Sequence, residues 1–363
     1  MSWLLAFVGF ALLVILHELG HFTAAKAVGM RVERFSLFFP PTLLKKKIGE
    51  TEYALGSIPA GGYVKISGMN PAEDLPDEVR TRAYYSQPVW KRIVVIAAGP
   101  AVNLVLAFLL LFVFYAMIGV QEPSNRVGSI ERGFPAAKLL KPGDKVVSAD
   151  GKRGDANVVS AQIRSHHCAG RPVDGCKAAT PVTLEVERKG QLQRIVARPV
   201  YDTNLQGQAP RTRLGFGYAP GPNRTALSAG DSLTASADDF WFITSQTVTL
   251  PARLVNSKQR KQLSGIVGTY EVTRQTILTN VALTVRILAV ISLSLAIVNL
   301  FPFLPLDGGH IFWAVVEKVR RKPVPFSVME RAGVVGFMLV ILIFLIGLSN
   351  DIGRLSGEGF RLR

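Results

Sequence analysis

The sequence predicts a polytopic α-helical membrane protein with four transmembrane helices, a membrane-associated β-sheet after the first helix, and an α+β insert outside the membrane. Three observations predict this fold class. Hydrophobic residues make up 48% of the 363 residues and the mean hydropathy is +0.27, which is too apolar for an ordinary soluble enzyme. Four apolar segments are each long enough to cross a hydrocarbon core of about 30 Å. A long polar stretch separates the second segment from the third.

The four predicted spans define the membrane domain. They cover residues 2–25, 93–120, 281–304 and 332–349. The first span could pass for a signal peptide, but no basic region precedes it and a charged motif stands where a cleavage site would be, so we expect it to be retained. The membrane domain therefore consists of residues 1–121 and 281–363.

The net charge of +16 does not indicate a nucleic-acid-binding protein, because the basic residues are dispersed and form no basic helix or aromatic stacking platform. Basic residues are frequent in the loop between the first two spans, with the run Lys45-Lys46-Lys47, and in the loop between the last two, with Arg320-Arg321-Lys322. By the positive-inside rule both loops are cytoplasmic, so both termini and the central segment face outward. The basic C-terminal tail (Arg354, Arg361, Arg363) argues weakly against this orientation.

The first span ends in Leu16-His17-Glu18-Leu19-Gly20-His21, a motif that is unusual in a helix surrounded by lipid. Residues i and i+4 lie about 40° apart around a helix, so His17 and His21 share one face. Two neutral imidazoles can hold Zn²⁺, and the neighbouring Glu18 can deprotonate the water that the metal activates. Ionisable groups inside a membrane are costly and usually mark function, so the motif predicts a metal site.

A β region follows at residues 30–66, with strands predicted at 32–39, 52–58 and 61–66 and with Pro40-Pro41 ending the first strand. Its apolar composition predicts that it dips into the membrane, where non-helical backbone survives only against protein or a wet cavity. An unpaired edge of this sheet could hold an extended peptide, and a structural hairpin without a ligand is the alternative.

Residues 72–92 predict a short helix at the membrane interface. The second span then begins with Gly99-Pro100-Ala101-Val102-Asn103. The glycine permits close helix packing. The amide of Asn103 needs a partner and is a weaker indication of a site.

The central segment, residues 122–200, predicts a separate domain. A strand at Lys145–Ala149, a short helix at 134–140, and a hairpin of residues 183–188 and 191–199 around Lys189-Gly190 are expected. The run from Gly128-Ser129-Ile130 to Asp150-Gly151 resembles a PDZ domain of the bacterial protease type. Such a domain can bind a peptide as an added strand, or it can act as a bulky gate without a ligand.

Cys168 and Cys176 lie in this outward segment, where a disulfide is plausible; free thiols, or a metal site with His166 and His167, are the alternatives. Residues 201–280 complete the region outside the membrane domain. Within them, residues 201–222 are rich in Gly, Pro and Arg and predict a linker. Residues 225–263 predict amphipathic helices on the outer face.

The third span ends in the run from Asn299 to His310, in which Pro302 and Pro305 must break the helix. This places Asp307 on irregular backbone. The first and third spans run in the same direction because one span separates them, and both motifs lie at the same depth in the membrane. Two imidazoles and one carboxylate leave a fourth position open, as in a catalytic zinc site.

Together these motifs resemble the site-2 protease family, and the bacterial regulator of sigma-E protease type in particular. The resemblance implies that His17, His21 and Asp307 bind one Zn²⁺ per chain and that Glu18 is the general base. It also implies a set of substrate-binding residues. Its members are Asn299, Pro302, Gly61 and Gly62, and we add Asn103 from the second span to this predicted substrate-binding set. One PDZ-like domain is present where that type often carries two.

The function implied is regulated intramembrane proteolysis by a multi-pass protein of the bacterial inner membrane, with anti-sigma factors or remnant signal peptides as substrates. Partners would be transmembrane substrates, membrane lipid and a possible peptide at the PDZ-like domain, and no nucleic acid. A membrane-anchored PDZ receptor or pseudoprotease with a structural metal site is the alternative. A metal transporter is a third reading, which the scarcity of further ionisable groups in the spans disfavours.

Overall fold

The computed structural model describes residues 2–70, 73–203, 205, 209–255, 265–278 and 280–355. Four helices in this part of the chain are long and apolar enough to cross a membrane: Ser2–Ala27, Val89–Ile118, Val281–Asn299 and Ser327–Gly353. The prediction of four spans and a β insert is confirmed. The chain divides into two compact units, one formed by Met1–Phe114 with Ala229–Arg363 and the other by Tyr115–Ser228. We call them the membrane unit and the insert unit.

The described elements are as follows. The helices are α1 (Ser2–Ala27), α2 (Asp77–Arg80), α3 (Val89–Val113), α4 (Ala136–Leu139), α5 (Ala156–Arg164), α6 (Ala229–Val248), α7 (Leu250–Val255), α8 (Ile266–Thr276), α9 (Val281–Asn299), α10 (Asp307–Arg320) and α11 (Phe326–Leu355). The strands are β1 (Val32–Ile48), β2 (Thr51–Ile66), β3 (Val120–Ile130), β4 (Lys145–Ala149), β5 (Lys152–Arg153), β6 (Val182–Arg188), β7 (Gln191–Ala197), β8 (Val200–Asp202), β9 (Arg211–Arg213) and β10 (Phe216–Thr225).

Two predictions about the third span are wrong. Its helix ends at Asn299 instead of residue 304, because prolines at 302 and 305 cannot donate backbone hydrogen bonds. Asp307 does not lie on irregular backbone but is the first residue of α10. A carboxylate is favoured in that position because the N-terminal turn of a helix presents unpaired N–H groups and the positive end of its dipole.

The β region also differs from its prediction, because two long bent strands replace three short ones. Pro40-Pro41 does not end β1, and the predicted strands 52–58 and 61–66 are parts of the continuous β2. The register between β1 and β2 is irregular between Leu37 and Thr42, a place where the ladder tolerates prolines. Arg34 pairs with both Lys65 and Glu52, and residues 34–37 each have a partner in two segments of β2 and so lie between them. In the described pairings, residues 62–66 pair on one side only and form a sheet edge.

The membrane unit is packed by two apolar clusters. One joins α1 to the β region and α3, with Ala25, Val32, Ile66 and Val95 buried. The other joins α3, α6 and α9. Short helical structure is present in the predicted region 72–92, as α2 and a 3₁₀ turn at Tyr84–Ser86, and its position at the membrane interface stays a prediction; residues 71–72 lie outside the described part. Helices α6 and α7 occupy the predicted amphipathic region, of which residues 256–263 lie outside the described part. Arg361 and Arg363 of the basic tail also lie outside it.

The insert unit is built on a sheet with strand order β10-β3-β4-β6-β7, and β5 pairs with β4. Strand β4 and the β6–β7 hairpin were predicted, and the left-handed φ angles of Lys189 (52°) and Gly190 (79°) are those of a type I′ turn. The predicted linker at 201–222 is wrong, because β9 and most of β10 fall within it and β10 pairs with β3. The prolines of β10 concealed this strand, and they are tolerated because β10 is at the edge of the sheet.

The cysteines and their neighbouring histidine are accounted for within the insert unit. Cys168 and Cys176 form a disulfide. His166 does not join them in a metal cluster, because its ring nitrogens are hydrogen-bonded to Asp150 and Thr180, each at 2.7 Å.

Candidate metal centre

Three ligand-type side chains from distant parts of the sequence meet inside the membrane unit. The Nε2 atoms of His17 and His21 lie 3.2 Å apart. Both approach the same Oδ2 atom of Asp307, at 3.1 Å from His17 and 3.4 Å from His21. The His17 and His21 side chains are 7% and 9% exposed. Helix α1 thus supplies two donors, and the first residue of α10 supplies the third.

Glycines allow α1 and α3 to approach closely at this point. A Cβ atom on Gly20 would lie 2.6 Å from the carbonyl oxygen of Ala98, and a Cβ atom on Gly99 would overlap the ring of His21. The His21 ring therefore lies directly against the backbone of α3. Its Nδ1 donates to the carbonyl of Val95 at 2.9 Å, which leaves Nε2 free to act as a metal ligand.

Asn103 lies behind His17 in the same helix interface. Its side chain is 0% exposed, and its Nδ2 is 3.4 Å from Nδ1 of His17. The Ser292 hydroxyl of α9 donates to the Asn103 backbone carbonyl at 2.9 Å. These contacts favour a role in holding His17, and they give no support to the predicted substrate contact of Asn103.

Asp307 is positioned by backbone packing. A Cβ atom on Gly308 would overlap the carbonyl of Leu300, and one on Gly309 would overlap the backbone of Leu304. A Cβ atom on Gly336 of α11 would overlap the Leu304 carbonyl as well. The two glycines after Asp307 and the one in α11 are therefore needed for the loop of residues 300–306 to fold against the start of α10.

Glu18 lies beside the open sheet edge. A Cβ atom on Gly62 would lie 3.0 Å from Cγ of Glu18, so Gly62 of β2 is in contact with this carboxylate side chain, whereas Gly61 lies against the ring of Phe39. Gly61 has a φ of +147°, which a side chain would rarely adopt. Of the other predicted substrate-binding residues, Asn299 ends α9 and is half-buried, and Pro302 is exposed in the following loop.

The donor set fits a zinc ion. Ligand atoms arranged tetrahedrally at the usual Zn–N and Zn–O distances are separated by about 3.3–3.6 Å. The three donor atoms here are separated by 3.1–3.4 Å. Two imidazoles and one carboxylate are also the ligand types of catalytic zinc sites with three protein ligands.

Sequence reasoning missed the contributions of Val95 and of Gly99 to the position of His21. We expected Gly99 to permit close packing but did not identify the histidine as its neighbour. A signal is visible afterwards: residues 95, 99 and 103 recur every four positions and lie on one face of α3, matching the spacing of His17 and His21 on α1.

The chain is similar over most of its length to proteins named as metalloproteases. The sequence pattern of peptidase family M50 matches residues 5–343. Metalloprotease MmpA of Caulobacter vibrioides is 30% identical over 95% of this chain and 93% of its own. A protein provisionally named a zinc metalloprotease in Clostridium perfringens is 31% identical over 96% of this chain and 97% of its own. One from Nostoc sp. is 29% identical over 96% and 93%.

The fold, the donor set and these relatives define a zinc metalloendopeptidase with multiple membrane spans. The chain belongs to peptidase family M50, the site-2 protease family.

Proposed function

We propose that the protein hydrolyses peptide bonds within the transmembrane segments of other membrane proteins. In this proposal His17, His21 and Asp307 hold the zinc ion, and Glu18 is the general base. The observation that carries it is the convergence of three donor atoms within 4.8 Å on helices of the membrane unit. Ionisable groups at such a place are costly and are retained for chemistry.

The chemistry divides between the metal and Glu18. Zinc, when bound, polarises the scissile carbonyl and lowers the pKa of the attacking water. Glu18 takes a proton from this water while the water oxygen adds to the carbonyl carbon. Glu18 then gives the proton to the nitrogen as the C–N bond breaks, so that a carboxyl and an amine are released. Glu18 is suited to this role because it is next to the donor set and is not one of the three converging ligands.

Substrate binding must first expose a peptide bond, because the amides of a transmembrane helix are hydrogen-bonded within the helix. We assign this step to the sheet edge formed by residues 62–66, with Gly61 directly before it. An unwound segment that adds to this edge as a strand passes directly beside Glu18, since Gly62 is in contact with it. Asn299, the last residue of α9, and Pro302, in the loop after it, are assigned to the substrate on grounds of the family resemblance, with Asn299 as a hydrogen-bond donor to the scissile region.

The insert unit is proposed to be PDZ-like and to restrict which substrates reach the membrane unit, by binding a peptide or by excluding bulk. We place this unit and both termini outside the cytoplasm on the basis of the basic loops between the spans, and the protein in a bacterial inner membrane on grounds of the family resemblance. Anti-sigma factors and remnant signal peptides are the proposed substrates, in regulated intramembrane proteolysis.

The test uses Glu18→Gln, which preserves size but removes the base. With purified protein and a single-span model substrate in detergent, we expect cleavage to be abolished while one zinc per chain remains. Glu78→Gln, which removes an exposed charge from α2, should cleave normally. Undiminished cleavage by Glu18→Gln would exclude the assignment of the base.

A second measurement separates the protease from a receptor with a structural metal. Wild-type protein and Asp307→Ala are compared for zinc content and for cleavage. The proposal expects both to be lost together in the variant. Wild-type protein that holds zinc but cleaves no membrane substrate would favour the receptor.

A further inference from the structure

Each of the two imidazoles of the metal centre needs a hydrogen-bond acceptor at its Nδ1 atom. A neutral imidazole carries one hydrogen, so a ring that offers Nε2 to a metal must carry its hydrogen on Nδ1. In a buried site, that N–H group needs an acceptor, and metal-binding histidines almost always have one. His17 and His21 both present Nε2 to Asp307, so both need an acceptor at Nδ1.

For His21 the acceptor is evident. The carbonyl of Val95, 2.9 Å from Nδ1, can accept a hydrogen bond but cannot donate one. Its presence therefore fixes the hydrogen on Nδ1 and leaves the lone pair of Nε2 for the metal.

For His17 the side-chain amide of Asn103 occupies the equivalent place. The nitrogen of this amide is 3.4 Å from Nδ1 of His17, an arrangement that would set two donors against each other. The amide oxygen of Asn103 is meanwhile buried and has no hydrogen-bond partner among the described residues. The oxygen and nitrogen of an amide exchange places when the group turns by 180°, and their assignment follows from the hydrogen-bond network. Turning the Asn103 amide brings its oxygen to His17.

We infer that Asn103 is a positioning residue whose side-chain oxygen accepts a hydrogen bond from Nδ1 of His17 and so holds that ring with Nε2 towards the zinc ion. The inference rests on the proposed role of His17 as a ligand. Asn103 is itself held, because it is fully buried and its backbone carbonyl accepts from Ser292 of α9. One face of α3 then supplies the acceptors for both histidines, from Val95 and from Asn103.

The inference is tested by three substitutions that separate the acceptor from the volume of the side chain. Asn103→Asp keeps an acceptor of the same shape, Asn103→Leu keeps the volume without an acceptor, and Asn103→Ala removes both. The zinc affinity of each purified protein is measured in detergent by competition with a chromophoric chelator. Loss of such a hydrogen bond typically weakens metal binding 10–100-fold. We expect about this loss for Leu and Ala, and affinity within about threefold of wild type for Asp.

A spectroscopic readout distinguishes ligand positioning from packing. The visible absorption bands of bound Co²⁺ report the ligand geometry, so Asn103→Leu should alter them and Asn103→Asp should restore bands close to those of the wild type. If Asp weakens zinc binding as much as Leu, the side chain does not act as an acceptor. If Leu binds zinc like the wild type, Asn103 only fills space. Either result overturns the inference.

His17→Ala, measured in parallel, separates this inference from the proposed function. Retention of zinc by His17→Ala would contradict the proposed ligand set itself. Loss of zinc in His17→Ala with normal binding in Asn103→Leu would overturn the positioning role alone.

Discussion

His17 and His21 stand on an uninterrupted helix, whereas Asp307 follows a loop in which two prolines prevent a helix. In the histidine half of the metal centre, the two imidazole side chains lie against one face of α3, His21 at the backbone carbonyl of Val95 and His17 at the side-chain amide of Asn103. The aspartate half is held by contacts between backbones, at Gly308, Gly309 and Gly336.

This difference indicates what each half tolerates. The histidine pair on α1 needs a neighbouring helix without a side chain at the point of contact. Any atom added at Gly99 would contact the His21 ring directly. Asp307 is in place only when the loop of residues 300–306 has its native conformation. Atoms added next to this loop displace Asp307 indirectly, by moving the loop residues before it. We expect substitutions in the histidine half to have the larger effect on zinc binding.

The largest effect is predicted for Gly99→Ala. The added methyl group would overlap the ring of His21, and because the neighbouring groups are backbone of a packed helix, the ring itself must move. We expect zinc affinity to fall by about two orders of magnitude or more and cleavage to be lost with it. Gly9→Ala, on α1, is the control, since its Cβ would lie at an ordinary 3.4 Å from a Leu288 side-chain atom. Equal zinc content in the Gly99→Ala and wild-type proteins would contradict this geometry.

A smaller effect is predicted in the aspartate half for Gly336→Ala. Its methyl group would overlap the Leu304 carbonyl and displace the loop that leads to Asp307, whereas Gly333→Ala, one turn earlier in α11, would make an ordinary contact at 3.7 Å. We expect zinc affinity to fall about tenfold and stability by about 1–3 kcal/mol in Gly336→Ala. Gly333→Ala should resemble the wild type in both measurements. Similar behaviour of the two variants would show that the loop does not depend on α11.

The same contrast explains what could be predicted from the sequence. The histidine pair and Glu18 follow from helical periodicity within six residues. Asp307 followed from the prolines and the direction of the spans, but its place at the start of α10 did not, because it depends on how the loop folds back onto two glycines. The strands β3 and β10 were missed because neither alternates clearly, and each is stabilised by the other across about 90 residues of chain.

An ion pair links α3, which packs against the histidines, to α10, which begins with Asp307. Breaking this pair is expected to affect stability more than zinc affinity. Arg92, near the start of α3, donates to Glu317, near the end of α10, at 2.9 Å, and its side chain is 10% exposed. Removing one partner of a buried pair costs about 3–5 kcal/mol, because the other charge stays buried. The Glu317 side chain is 26% exposed, so Glu317→Leu, which leaves the buried Arg92 charge unpaired, should lower the stability of the protein in detergent by about 3 kcal/mol and Arg92→Leu by less, each with a smaller change in zinc affinity.

The double variant Arg92→Leu/Glu317→Leu serves as the control for this pair. It leaves no unpaired charge, so its stability should exceed that of either single variant. If the two single losses simply add in the double variant, the residues are not coupled and the pair does not join α3 to α10.

The smallest effect on stability is predicted at Glu50, in the turn between β1 and β2. Glu50 connects the β region to the end of α1 because it accepts a hydrogen bond from Lys26. Hydrogen bonds from Arg82 and Lys26 lower the pKa of Glu50 to about 2 from its usual 4.5. A carboxylate with a lowered pKa in the folded state contributes stability that is complete above pH 4.5 and is lost as the pH falls towards 2. Glu50→Gln should therefore have a lower thermal midpoint than the wild type at pH 6, and the difference should shrink as the pH is lowered below 4.5.

The measurement compares the two proteins at each pH, with a chelator present so that release of metal does not contribute. Comparing differences removes the other groups that titrate in both proteins. Because the Glu50 side chain is 30% exposed, screening by water keeps the effect small. A difference that stays constant from pH 6 to pH 3 would mean that Glu50 acts by packing instead of charge.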